Sequence, residues 1–265
     1  MEPLLIIPIL LAFISTLFVI PYWIKKAEKA GLVWKDMHKK EGTKKVVGSG
    51  GIGILVGFTL GVLTYIALKT FVLKTDVTTV EIFALLVTIL ISGIIGLMDD
   101  FLGWVQGGLS AKLRIFLLFI AAIPLVVINV GESTMMGIEF GLFYPLLLIP
   151  IGIVGASASF NFLAGYNGLE ASQGIIILSA LSLVTWLNDN SWLSLISLIM
   201  VACLIIFYMF NKYPAKIFPG DVLTYPIGAL IAIITILGNI EKIAIFFFIP
   251  YILETCLKVR GRLKK

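Results

Sequence analysis

Phe160-Asn-Phe-Leu-Ala-Gly-Tyr-Asn-Gly-Leu-Glu-Ala-Ser-Gln173 is a polar island between two long apolar runs. Polar groups in hydrocarbon are costly, and where they persist they mark a site, a cavity or a membrane edge. Asn161, Asn167 and Glu170 therefore read as a loop at a membrane face that presents two amides and a carboxylate. Gly165 and Gly168 supply backbone turns that a residue with a Cβ resists.

The flanks of the island decide the fold class. The 265 residues are 60% hydrophobic and 13% charged, with a mean hydropathy of +1.09. Soluble domains carry about 25% charged residues. Apolar runs of about 20 residues cross a bilayer as helices, whereas barrel strands alternate apolar and polar residues. These runs are apolar all round, so the expected fold is all-α: a polytopic membrane helical bundle, read as one domain over 1–265. Cys203 and Cys256 lie inside apolar runs and give neither a disulfide framework nor a zinc site. The first run lacks a basic lead-in, so it reads as a retained span. The sequence shows no soluble domain, repeat or low-complexity tract, and nothing that calls for a nucleic-acid partner.

Nine spans are expected, near 4–23, 46–68, 80–98, 113–130, 142–160, 174–187, 192–210, 222–237 and 243–257. An odd number puts the termini on opposite sides. Seventeen of the 20 Lys and Arg residues then share one face: the loop from Lys25 to Lys45, Lys112, Arg114, Lys212, Lys216 and the tail from Lys258. The positive-inside rule assigns that face to the cytoplasm and the amino terminus to the outside. Asp99, Asp100, Asn161, Asn167, Glu170 and Asp221 fall on the same face.

Each cluster has a plain reading beside a chemical one. Asp99-Asp100 serve as solvated charges at the end of a span, or as ligands for a hard cation. Asp221, after Pro219-Gly220, caps a helix or joins them. The lysine-rich first loop orients the chain and meets anionic lipid, and His38, alone, is a loop residue. Together, carboxylates for a metal and cations for phosphates are the equipment of phosphoryl transfer, where positioning and charge neutralisation do most of the work. A transporter would instead place its polar groups near the midplane, on broken helices. Here they fall at span ends.

Three segments carry a resemblance: Asn161-Phe-Leu-Ala-Gly-Tyr-Asn-Gly-Leu-Glu-Ala, Asn211-Lys-Tyr-Pro-Ala-Lys-Ile-Phe-Pro-Gly-Asp221 and Gly96-Leu-Met-Asp-Asp100. They are similar to the polyprenyl-phosphate N-acetylhexosamine-1-phosphate transferases, nearest to the archaeal and eukaryotic UDP-GlcNAc–dolichyl-phosphate branch. The resemblance runs in order through nearly the whole chain. It implies transfer of GlcNAc-1-phosphate from UDP-GlcNAc to a polyprenyl (dolichyl) phosphate, with UMP released. That is the first step of lipid-linked oligosaccharide assembly for N-glycosylation. The alternatives are a relative using another UDP-N-acetylhexosamine, and an inactive nucleotide-binding relative.

Carried over by residue, the resemblance implies that Asn161 and Asp221 hold Mg²⁺, with Mn²⁺ as a substitute. Asn167, with the Gly168-Leu169 backbone, would hold the uracil end of the nucleotide, and Glu170 would join the substrate site. Asp99 and Asp100 would lie beside the metal, as catalytic base or at the lipid phosphate. Lys112 would contact phosphate. Asp36 and Lys39 resemble an Asp-x-x-Lys patch of the first loop. Arg260 and Arg262 resemble an Arg-His-Arg element that grips the pyrophosphate, with Gly261 here in place of the histidine. The expected setting is a multi-pass protein among membrane lipids with its site on the cytoplasmic face of the plasma membrane or endoplasmic reticulum, and a homodimer is compatible. The family has ten spans, so a chain ending at Lys265 reads as shortened within the segment after the ninth.

Overall fold

A helix pairs its own backbone groups, which is why uninterrupted apolar sequence folds this way in a medium without water. The computed structural model describes residues 3–36, 45–75, 77–129 and 131–261. They contain nine α-helices: α1 (Ile6–Ala30), α2 (Gly51–Ala67), α3 (Thr79–Gln106), α4 (Ala111–Ile128), α5 (Ile149–Phe162), α6 (Leu169–Leu187), α7 (Ser191–Asn211), α8 (Asp221–Leu237) and α9 (Glu241–Arg260). A π-helical stretch, Leu68–Leu73, prolongs α2, and another, Tyr144–Leu148, leads into α5. With those extensions α1 to α7 are each long and apolar enough to cross a membrane. The apolar α8 is shorter, at 17 residues. The charges of α9 gather at its two ends, Glu241 and Lys242 at one and Glu254, Lys258 and Arg260 at the other. The protein is a polytopic helical membrane protein.

The bundle is built around α8. Every residue from Val222 to Thr235 is buried, and α3, α5, α2, α6 and α9 all pack on it. Small residues let the backbones approach, as membrane helices require. A Cβ on Gly228 would sit 2.6 Å from the Ser157 Cα of α5, and one on Gly51 would sit 2.6 Å from the Leu223 N. By contrast α1 is peripheral. It buries a single stripe, Pro8, Ala12, Thr16, Ile20 and Ala27, against α2 and α7. One large cluster of buried apolar residues draws on all nine helices.

Two expectations need correction. The acidic pair does not end its helix: α3 continues past Asp100 to Gln106, about two turns further. A helix satisfies its own backbone whether hydrocarbon or water surrounds it, so a change of polarity need not stop it. The described parts of the first polar loop are also structured. Strands β1 (Val33–Lys35) and β2 (Lys45–Val47) pair antiparallel, with Val33 opposite Val47. A second small hairpin, β3 (Thr134–Met135) with β4 (Ile138–Glu139), lies on the opposite face. Val47 bridges to Ile217. Phe218 N donates to Val47 O at 2.7 Å, and Gly50 N donates to Phe218 O at 2.8 Å. The first loop is thereby sewn to the segment that leads into α8. Lys39 and His38 lie outside the described residues, as does Arg262.

Candidate functional site

The site begins at the first turn of α8. A helix start leaves backbone N–H groups without partners. Here the cap comes from another helix. Asp100 accepts from the Asp221 N–H at 2.8 Å with Oδ1, and Oδ2 lies 3.5 Å from the Val222 N. Asp221 is thus not its own cap. Its carboxylate is left to face outward, where it accepts from the Tyr225 hydroxyl at 3.0 Å. Gly220 makes the close approach feasible. Its φ is +71°, and a Cβ there would run into the Asp100 carboxylate.

Asp99, one residue earlier on α3, is buried. Its Oδ1 accepts from the Leu109 N–H at 2.6 Å, which fixes the turn between α3 and α4. Its Oδ2 lies 3.2 Å from the same Tyr225 hydroxyl, whose single proton the two carboxylates share. Arg114 completes the group, 3.1 Å from Asp99 Oδ2 and 3.9 Å from Asp221 Oδ2. Ser110 caps α4 through the Leu113 N–H and so sets Arg114 one turn inside that helix. The cation beside the acids is therefore Arg114. Lys112 is exposed and makes no bond within the described residues. Sequence reasoning missed both Arg114 and Tyr225. The signals were there: an arginine inside an apolar run, and a tyrosine four residues after Asp221, on the same helical face.

The polar island is shorter than its sequence suggests. Asn161 belongs to the last turn of α5, and Glu170 to the first turn of α6. Gly168, at φ +83°, precedes α6, and its N–H donates to Asn211 Oδ1 at 3.0 Å. Asn211 is fully buried at the end of α7, and its Nδ2 donates to the Ile217 O at 2.8 Å. This amide ties the island to the approach to α8, a role not foreseen from sequence. The Leu169 N–H is also engaged, by the Tyr166 O at 3.0 Å. Asn167 Nδ2 donates to Asp36 Oδ2 at 3.2 Å across the chain.

Between these parts lies a cleft of about 310 Å³. Asp36, Asn161, Asn167, Glu170 and Asp221 all line it, with Thr224. Arg260 is exposed at the end of α9 and is not part of its wall. Two buried oxygens on the wall have no partner among the described residues, Glu170 Oε2 and Thr224 Oγ1. Buried polar atoms are nearly always paired, so orphans in a cleft point to a ligand. Among the described residues no three His, Cys, Asp or Glu side chains group as a metal site. Mg²⁺ does not need such a cluster, since it takes one or two carboxylates and fills its remaining positions with water and substrate phosphate. Asp221 and Asn161 supply oxygen donors of the right hardness.

Acids, an arginine and amides from several helices thus meet beside one cleft of a multi-span helical bundle, and the comparisons give that arrangement its class, a membrane-integral transferase of phosphorylated sugars. The chain belongs to glycosyl transferase family 4, whose model matches residues 82–239. That stretch includes Asp99, Asp100, Arg114, the island and Asp221, but not Asp36. A protein of Saccharolobus solfataricus, provisionally named UDP-N-acetylglucosamine–dolichyl-phosphate N-acetylglucosaminephosphotransferase, is 37% identical over 98% of this chain and 79% of its own length. A protein of the same provisional name from Sulfolobus acidocaldarius is 32% identical over 98% of this chain and 79% of its own. The phospho-N-acetylmuramoyl-pentapeptide-transferase of Halalkalibacterium halodurans is 29% identical over 96% of this chain and 81% of its own.

Proposed function

We propose that the protein transfers N-acetylglucosamine-1-phosphate from UDP-GlcNAc to a polyprenyl phosphate of the dolichyl type, releasing UMP, and that residues 1–265 act as one catalytic unit. The observation that carries the reading is the meeting of Asp99, Asp221 and Arg114 around the Tyr225 hydroxyl, beside a cleft lined by Asn161 and Asn167. The archaeal relatives' names favour N-acetylglucosamine over the muramoyl pentapeptide, since those relatives are the more similar ones.

An oxygen of the lipid phosphate attacks the sugar-bearing phosphorus of the donor. The new P–O bond joins lipid and sugar phosphates as the P–O bond to UMP breaks. A lipid phosphate monoester, with a second pKa near 6, is already largely ionised, so the residues position it more than they deprotonate it. Asn167 and Glu170 hold the nucleotide, and Asp221 and Asn161 would hold Mg²⁺. When bound, that ion supplies neutralisation of the diphosphate. Arg114, 3.9 Å from Asp221 Oδ2, is the cation that would answer charge developing on the bridging and leaving oxygens. Asp99, tied to Arg114 and Tyr225, sets where that cation sits. The basic residues clustered on this face favour the cytoplasmic side, by the positive-inside rule.

The test uses purified protein in detergent with UDP-GlcNAc, dolichyl phosphate and Mg²⁺, following UMP release with and without EDTA. Release that needs both the metal and Asp221 supports the reading. No release from a folded chain, with any UDP-N-acetylhexosamine, would end it.

A further inference from the structure

Asn167 is part of the cleft wall, and its side-chain amide has two edges nearly the same in shape but opposite in chemistry, one an acceptor and one a donor. Which edge faces which way is decided by its neighbours. The neighbour here is Asp36, at the end of the β1 strand and 8% exposed, whose Oδ2 lies 3.2 Å from Asn167 Nδ2. A carboxylate only accepts, so the NH₂ group must be the edge turned to Asp36. One hydrogen of Nδ2 is spent on that contact. The other lies alongside Oδ1, and among the described residues nothing donates to Oδ1. The backbone behind is fixed as well, because the Gly168 N–H is held by Asn211.

We propose that Asp36 is a specificity-determining positioning residue, which locks the Asn167 amide so that the cleft accepts a nucleobase with an imide edge. The inference rests on the nucleotide-donor reading of the same cleft. With the amide locked, Oδ1 meets the ring N–H of uracil and the remaining Nδ2 hydrogen meets its neighbouring carbonyl. Cytosine presents the reverse pattern at the same two positions, a bare ring nitrogen beside an amino group. It would pair only with a flipped amide. Asp36 is what makes that flip costly, since it would set Oδ1 against a carboxylate. Asp36 touches no substrate in this account and acts through Asn167.

The experiment measures displacement of labelled UDP-GlcNAc from the purified full chain by UDP and by CDP, for wild type, Asp36→Ala and Asp36→Glu. Wild type is expected to favour UDP strongly. Asp36→Ala is expected to reduce the UDP-to-CDP preference by at least about tenfold, the scale of a lost hydrogen-bond selection, chiefly by admitting CDP. Asp36→Glu is expected to recover part of it. An unchanged ratio in Asp36→Ala, or equal weakening of both nucleotides, would overturn the proposal. So would a wild type that binds both alike. A wild type that binds neither nucleotide would instead remove the nucleotide-donor reading, and this inference with it.

Discussion

The Asp100 carboxylate accepts the Asp221 backbone N–H at 2.8 Å, so one acid of the site holds the helix start that carries the other. The two residues are 121 positions apart, and the contact fixes α8 relative to α3 at the mouth of the cleft. Removing a helix cap costs about 0.5–2 kcal/mol. Asp100→Ala is expected to lower the melting temperature in detergent and to reduce UMP release together. Asp100→Asn, which keeps one acceptor oxygen, should do less of both. A loss of activity in Asp100→Ala with unchanged melting would mean that Asp100 acts on substrate rather than as a cap.

Arg114 sits between Asp99 and Asp221, with its side chain about one-third exposed. Its contribution to stability is therefore modest, as screening dictates for partly solvated pairs. Its contribution to turnover is expected to be large. Arg114→Ala should lower kcat by about 100-fold or more, the scale for loss of one group aimed at developing charge. Arg114→Lys keeps the charge but loses the planar guanidinium whose Nη1 reaches both carboxylates, and should fall between. Lys112→Ala should change little. Steady-state kinetics on the three variants decide the matter, and a larger effect from Lys112 than from Arg114 would reverse the assignment.

How far the sequence could be read varies with the physics involved. Helical segments were legible because hydrocarbon imposes length and apolar composition on a span, and α1 to α9 fall on the nine expected segments, of which α1 to α7 are long and apolar enough to cross a membrane. The acids and amides were legible because each stands out in an oily chain. What was not legible was pairing. Asp100 and Asp221 each read as a metal ligand or a helix-end charge, and only the packing of α3 on α8 makes the first the cap of the second. Arg114 was hidden beside Lys112, two residues away, because helical phase decides which cation turns inward. Asn211 looked like the start of a loop, yet it is fully buried and joins two loops. The hairpin of β1 and β2 was masked by its charge, since its order comes from backbone bonds to the segment before α8.

Asp221 accepts from Tyr225 and lies beside Arg114, but its backbone N–H is already served by Asp100. Its side chain is thus available to a metal without loss of the helix cap. Asp221→Ala is expected to abolish the Mg²⁺ dependence of nucleotide binding and to reduce turnover by about 100-fold or more, with melting close to wild type. Titrating Mg²⁺ into protein with UDP present, by calorimetry, checks the first point apart from turnover. Metal-dependent binding that survives Asp221→Ala would move the metal to other donors.

Glu170 is 3% exposed, and its carboxylate is half satisfied: Oε1 accepts the Gly165 N–H at 2.8 Å, while Oε2 has no partner among the described residues. A buried oxygen in that state costs stability of the order of 1–3 kcal/mol. The empty protein bears that cost, and a ligand that donates to Oε2 relieves it. Glu170→Gln keeps an oxygen for Gly165 and removes the formal charge. The variant is therefore expected to melt higher than wild type without ligand, yet to gain less on adding UDP-GlcNAc and Mg²⁺, because its outward group is now a donor. The two melting curves, with and without ligand, separate this from a structural role. If Glu170 only braced the loop through Gly165, Gln would serve as well and the ligand-induced shift would match that of wild type. A smaller shift from a more stable starting point is the mark of a carboxylate kept for its ligand.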